Sequence, residues 1–167
     1  EESHGYLAGT HARDKDAVVA SMLIAEMAAH YNKEGKTLLR VLDELYSQYG
    51  YFIEETISIT MEGIDGTQKI KGIMQNLRKN TPQKIGGFII SAVRDYEKGL
   101  RYTPSKEVLN ELDISSSDVL YFEQESGMDF VIRPSGTEPK IKIYFLGCAK
   151  TQNKAMLLLK ETKEAVR

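Results

Sequence analysis

Apolar and polar positions recur along this chain with two periods, and each change of period marks a new element. Over 17–31 the residues are apolar on almost every side (Val18, Val19, Met22, Leu23, Ile24, Met27). That pattern predicts a helix buried on most of its faces. Asp14 or Asp16 precedes it as an N-cap, because a short carboxylate accepts the orphan amides of a first turn. Gly35 ends it. Leu38, Val41, Leu42, Leu45, Tyr46 and Tyr49 then repeat at spacings of three and four, one face of a second helix, with Gly50 as its stop. Beyond Gly50 the period becomes two. Tyr51, Ile53, Ile57, Ile59 and Met61 alternate with Glu54, Thr56, Ser58, Thr60 and Glu62, a half-buried strand.

Gly63-Ile64-Asp65-Gly66 reads as a turn into a helix over 67–79, whose Ile70, Ile73, Met74 and Leu77 share a face. Pro82 blocks its continuation. Strands are expected over 87–96, 118–125, 128–133 and 140–148, with a long loop over 97–117 and a last helix over 151–166. Tyr121, Phe122, Phe130, Tyr144 and Phe145 read as sheet packing. The last three strands are joined by short turns and are therefore expected to be antiparallel. A boundary is expected near 35–50, with the first ~50 residues as the end of another unit.

Composition narrows the classes. The 167 residues are 41% hydrophobic and 28% charged, with 22 basic against 24 acidic side chains. That is a globular mix, and a domain of ~150 residues buries roughly 68–70% of its unfolded surface. A net charge of -2 argues against nucleic acid or an anionic membrane as the main partner. No apolar run approaches the ~20 residues of a membrane helix. Cys148 is the single cysteine, which excludes an intrachain disulfide or cysteine-cluster metal site and suits a cytoplasmic setting. Cys148 and His30 read as structural residues.

Three groupings can carry chemistry. Arg133-Pro134-Ser135-Gly136-Thr137-Glu138-Pro139 lies between two strands. Arg133 offers a planar fork of donors, Ser135 and Thr137 offer hydroxyls, and Gly136 permits close backbone approach or a positive φ. These features suit a phosphate clamp; a plain hairpin turn remains open on the residues alone. Glu1-Glu2-Ser3-His4-Gly5-Tyr6 places a carboxylate and a hydroxyl on a glycine-bearing loop, suited to sugar hydroxyls, with a frayed terminus as the alternative. His11, Arg13, Asp14, Lys15 and Asp16 form a charge cluster; capping explains its aspartates better than a hard metal does.

Together Glu1–Leu7, the run Arg13-Asp-Lys-Asp-Ala-Val and the run Arg133-Pro-Ser-Gly-Thr-Glu-Pro-Lys-Ile-Lys resemble the α-D-phosphohexomutases, in the phosphoglucomutase/phosphomannomutase branch. The resemblance implies an α+β fold. Its C-terminal domain would be TATA-binding-protein-like, a four-stranded antiparallel sheet with two helices, preceded by helices from the end of an α/β domain. The implied division is 1–49, the end of the family's third domain plus linker, and 50–167, its fourth. Glu1 and Ser3 would bind sugar hydroxyls, and Arg133, Ser135, Gly136 and Thr137 the phosphate not being transferred. Lys15 would assist, while His4 departs from the family's usual aromatic and its role stays open.

The resemblance further implies a C-terminal portion of an enzyme interconverting hexose 1-phosphate and hexose 6-phosphate. Such an enzyme uses Mg²⁺ and a hexose 1,6-bisphosphate activator. This sequence carries neither the family's serine motif nor its metal motif, so the portion alone is expected to be inactive and to bind neither cofactor. Its partners would be the sugar phosphate and the N-terminal domains of the same chain, with dimerisation through exposed apolar surface as a further expectation. The alternatives are a stand-alone module for a sugar phosphate or acidic ligand, or the same chemistry on a pentose or amino sugar.

Overall fold

The computed structural model describes residues 5–63 and 65–166. The chain divides into two compact units, Glu1–Gly50 and Tyr51–Arg167.

In the first unit, α1 (Ala17–Lys33) starts at Asp16, whose carboxylate accepts from the amides of Val18 and Val19 at 2.9 and 3.1 Å. Of the two N-cap candidates, Asp16 therefore takes the role. Gly35 follows in the left-handed region, φ 71°. Thr37 caps α2 (Leu38–Tyr49) by accepting from the Arg40 amide, and Gly50 ends it at φ 102°. The expected burial of α1 is not found: none of its residues is buried. Among the described residues of this unit, only α2 and the loop 5–16 are available to cover it. His30 is exposed and lies 3.5 Å from Glu34 one turn on.

The second unit is built on one antiparallel sheet. Its strands are β1 (Tyr51–Thr60), β2 (Lys84–Ile85), β3 (Phe88–Asp95), β4 (Leu100–Tyr102), β5 (Val108–Glu111), β6 (Leu120–Gln124), β7 (Met128–Pro134) and β8 (Lys140–Ala149). Their order is β1-β8-β7-β6-β3-β4-β5, with β2 paired to β3 outside that path. The helices α3 (Gly66–Lys79) and α4 (Gln152–Val166) place Ile70, Met74, Leu158 and Leu159 in one core with the inward side chains of the sheet. The antiparallel sheet with two helices agrees with the expected class. The strand count rises from four to eight because β1 joins the sheet through β8, β2 pairs with β3, and the expected loop over 97–117 contains β4 and β5.

Alternation explains the core. Leu120, Phe122 and Gln124 of β6, Met128, Phe130 and Ile132 of β7, and Ile141, Ile143 and Phe145 of β8 all point inward. Phe122 lies opposite Phe130, and their rings stack at 4.7 Å. Tyr121 and Tyr144 sit half-exposed on the other face. Cys148 is half-buried rather than a core residue. Gly147 faces Met128, whose Cε would lie 2.1 Å from an added Cβ, so a side chain there would displace the methionine from its present position. Buried Gln124 is satisfied by Ile85 O, Ser126 and Thr162, which ties β6 to β2 and α4.

A buried ion network braces the edge of this unit. Arg78 of α3, 8% exposed, donates from Nε to Asp95 at 3.1 Å and from Nη2 to Asp118 at 2.6 Å, and its Nη1 lies 2.9 Å from Glu97. These bonds fix the segment before β6 against the C-terminal end of α3.

Candidate functional site

The 133–139 segment runs from the end of β7 into β8. Its backbone is closed by the Ser135 amide donating to Lys140 O at 2.9 Å and by the Lys140 amide donating to Glu138 O at 2.7 Å. Arg133 is exposed although it lies within β7; Gly136, Thr137 and Glu138 are exposed, and Ser135 is half-buried. Glu138 pairs with Lys140, whose hydrogen bond holds that carboxyl below the usual range. Gly136 does not occupy the left-handed region. A Cβ there would meet nothing within 4 Å, so the glycine leaves the loop surface bare instead of relieving backbone strain.

A cleft of about 510 Å³ opens beside the loop. Arg133, Ser135, Gly136 and Glu138 form one side; Thr67, Ile70 and Lys71 of α3 form another, and Ser117, Asp118 and Val119 close it. Asp118 already pairs with Arg78. Arg133 has no ion-pair partner among the described residues. It stands directly opposite Lys142 of β8, so two cations share a cross-strand position on the open face of the sheet.

Three expected phosphate contacts, Arg133, Ser135 and Gly136, thus line one cleft; Thr137 lies in the same exposed loop. Thr67, Lys71 and Ser117 were missed, because their approach to the loop follows from strand pairing and not from any local motif.

In the other unit, Glu1, Ser3 and His4 lie outside the described residues. Lys15 is described: its ammonium lies 3.3 Å from Asp14. Its stem covers Gly5, where an added Cβ would fall 2.0 Å from Lys15 Cδ. The Asp16 amide donates to Tyr6 O at 3.0 Å. Lys15 therefore lies against the Gly5 end of the candidate sugar loop. Asp14 is held below the usual carboxylate range by hydrogen bonds from Lys15, and Asp16 by the Val19 amide and His11. These partners engage both aspartates, Asp16 as the cap of α1 and Asp14 with Lys15. Among the described residues no group of three or more His, Cys, Asp or Glu side chains gathers as a metal site.

Residues 1–49 match the family model described as phosphoglucomutase/phosphomannomutase, alpha/beta/alpha domain III. A phosphoglucomutase of Staphylococcus aureus strain MRSA252 is 39% identical over 144 residues, which is 86% of this chain and 26% of that protein. The phosphoglucomutase of the bovine strain RF122 is 38% identical over the same length. The chain also resembles the crystal structure of the Paramecium exocytosis-sensitive phosphoprotein pp63/parafusin in its open form. That likeness has a TM-score of 0.55 at 19% identity, over 93% of this chain and 27% of the other, and it bears on fold alone. The chain spans about a quarter of the length of the curated relatives it matches. The chain is thus similar to the third domain of the phosphoglucomutase/phosphomannomutase family at one end and to phosphoglucomutases along most of its length.

Proposed function

We propose that this chain is the C-terminal, substrate-phosphate-holding part of a phosphoglucomutase/phosphomannomutase that interconverts hexose 1-phosphate and hexose 6-phosphate. The observation that carries the reading is the exposed Arg133 beside a bare Gly136, on a cleft whose two carboxylates, Asp118 and Glu138, are paired with Arg78 and Lys140 and not with Arg133. Phosphoryl transfer depends mainly on positioning and charge stabilisation. Arg133 would hold the phosphate at the unreactive end of the sugar through its planar fork, with Ser135 and Thr137 donating hydroxyl hydrogens. Glu1 and Ser3 would bind the sugar hydroxyls, which a carboxylate and a hydroxyl can do for either orientation of the ring. Lys15 would add positive charge beside that loop.

The reading includes Mg²⁺ and a hexose 1,6-bisphosphate activator for the enzyme as a whole. The described residues gather no metal site. The remaining domains of that enzyme would be this chain's partners. A cytoplasmic location fits the single cysteine and the lack, among the described residues, of a helix long and apolar enough to cross a membrane.

The test is Arg133→Ala in the enzyme that carries this segment. Loss of a charge-assisted hydrogen bond costs roughly 1.5–3 kcal/mol, so kcat/KM for glucose 1-phosphate should fall roughly 10- to 100-fold. Unchanged kinetics would reduce the loop to a turn. The 167-residue chain assayed alone should show no mutase turnover; measurable turnover would overturn the division of labour proposed here.

A further inference from the structure

We propose that Lys71 is the second cation of this phosphate site, gripping from α3 the same phosphate dianion that Arg133 grips from β7. The proposal rests on the phosphate reading of the 133–137 loop and adds a ligand that lies far from that loop in sequence. Its first support is charge matching. Four charged side chains line the cleft: Lys71, Asp118, Arg133 and Glu138. Asp118 is matched by Arg78 at 2.6 Å and Glu138 by Lys140. Lys71 and Arg133 have no ion-pair partner among the described residues. The cleft therefore presents two uncancelled positive charges, and a phosphate monoester carries about -1.5 to -2 at neutral pH.

The second support is that the juxtaposition is built in. The Met61 amide donates to Pro139 O at 2.8 Å, tying the end of β1 to the end of the loop. At Gly66, the first residue of α3, an added Cβ would lie 2.0 Å from Met61 O and 3.2 Å from Pro139 Cβ. The helix thus starts hard against the loop. Thr67 and Lys71, four residues apart, share the helix face that lines the cleft. Buried Ile70 between them supplies an apolar wall that keeps the local charge poorly screened. The two cations differ in kind. The Arg133 fork fixes the direction of the phosphate, whereas the Lys71 ammonium, on a flexible stem, can follow it.

The experiment is an amide NMR titration of the 167-residue chain with inorganic phosphate and, separately, with glucose 1-phosphate, repeated on Lys71→Gln, Lys71→Arg and Arg133→Gln. Lys71→Gln should weaken both ligands about threefold to fivefold and flatten the salt dependence of Kd, while Lys71→Arg should stay within about twofold. The spectra report folding of each variant directly. If Lys71→Gln binds as the unmodified chain does while Arg133→Gln binds more weakly, Lys71 is a solvated side chain and this inference falls alone. An effect confined to glucose 1-phosphate would place Lys71 on the sugar and overturn its assignment to phosphate. If Arg133→Gln also changes nothing, or the unmodified chain shows no saturable shift at the amides of 135–137, the phosphate reading falls and the inference with it.

Discussion

The two units of this chain carry comparably apolar stretches and treat them in opposite ways. In the second unit Phe122, Phe130 and Phe145 are fully buried. In the first, α1 buries nothing, and its Val18 and Met22 are 71% and 67% exposed. Composition does not separate them; available partners do. The inward positions of β6, β7 and β8 share one core with residues of α3 and α4, whereas α1 has only α2 and a short loop within its own unit. An apolar pattern therefore states a demand for burial and says nothing about which segment meets it.

The largest test of the contrast is Phe122→Ala. The ring is fully buried and stacked on Phe130, so truncation removes both transfer free energy and packing. It should cost about 3–5 kcal/mol in urea unfolding followed by amide signals of the second unit. A loss below about 1 kcal/mol would mean that this core is loosely packed and that the contrast between the units is one of degree.

An intermediate effect should come from the open face of the same sheet. Glu123 accepts from Arg101 and Arg94 at 2.6–2.9 Å (2.9 and 2.6 Å), and these bonds, led by that from Arg101, hold its pKa at about 2, down from 4.5. The native state therefore binds this proton less readily than the unfolded state. The resulting stability is fully present above about pH 4.5 and is lost as pH falls toward 2. Because both arginines are partly exposed, the contribution is on the order of 1–2 kcal/mol. Glu123→Gln should lower stability by about that amount at pH 7 and flatten the acid limb of the unfolding curve. An unchanged acid limb would show that these ion pairs are solvated and that the open face, like α1, contributes little.

Legibility in the sequence followed contiguity. The β1 strand showed itself through the apolar/polar alternation that runs unbroken from Ile57 to Met61, and the 133–137 loop through adjacent residues of the right kinds. The β2 strand escaped because it is two residues long, held in a hairpin by Gly86 and Gly87 at φ 59° and 80°. The β4 and β5 strands escaped because β4 has three residues and β5 is exposed throughout, so neither shows an alternation of burial. Lys71 escaped for a different reason. It lines the same cleft as Arg133 only once β1 has paired with β8 and Gly66 has seated α3 against Pro139, and no local window contains those events. The expected burial of α1 erred because a pattern without a partner was read as a packed helix.

The smallest effect sharpens the comparison most. Met22→Ser on α1 removes a large apolar side chain from a position that is mostly in water, so nothing is transferred out of a core and no cavity forms. Its cost is reduced to a change in helix propensity, within about 0.5 kcal/mol. Amide exchange of α1 should therefore be nearly unchanged, in contrast to the collapse expected for Phe122→Ala. Sedimentation of the two proteins over a concentration series completes the test. If Met22→Ser costs more than about 1 kcal/mol and the unmodified chain sediments as a dimer that the variant does not form, a second copy covers α1. In that case the exposure of α1 belongs to the single chain, and the two units obey the same rule with different suppliers of the covering surface.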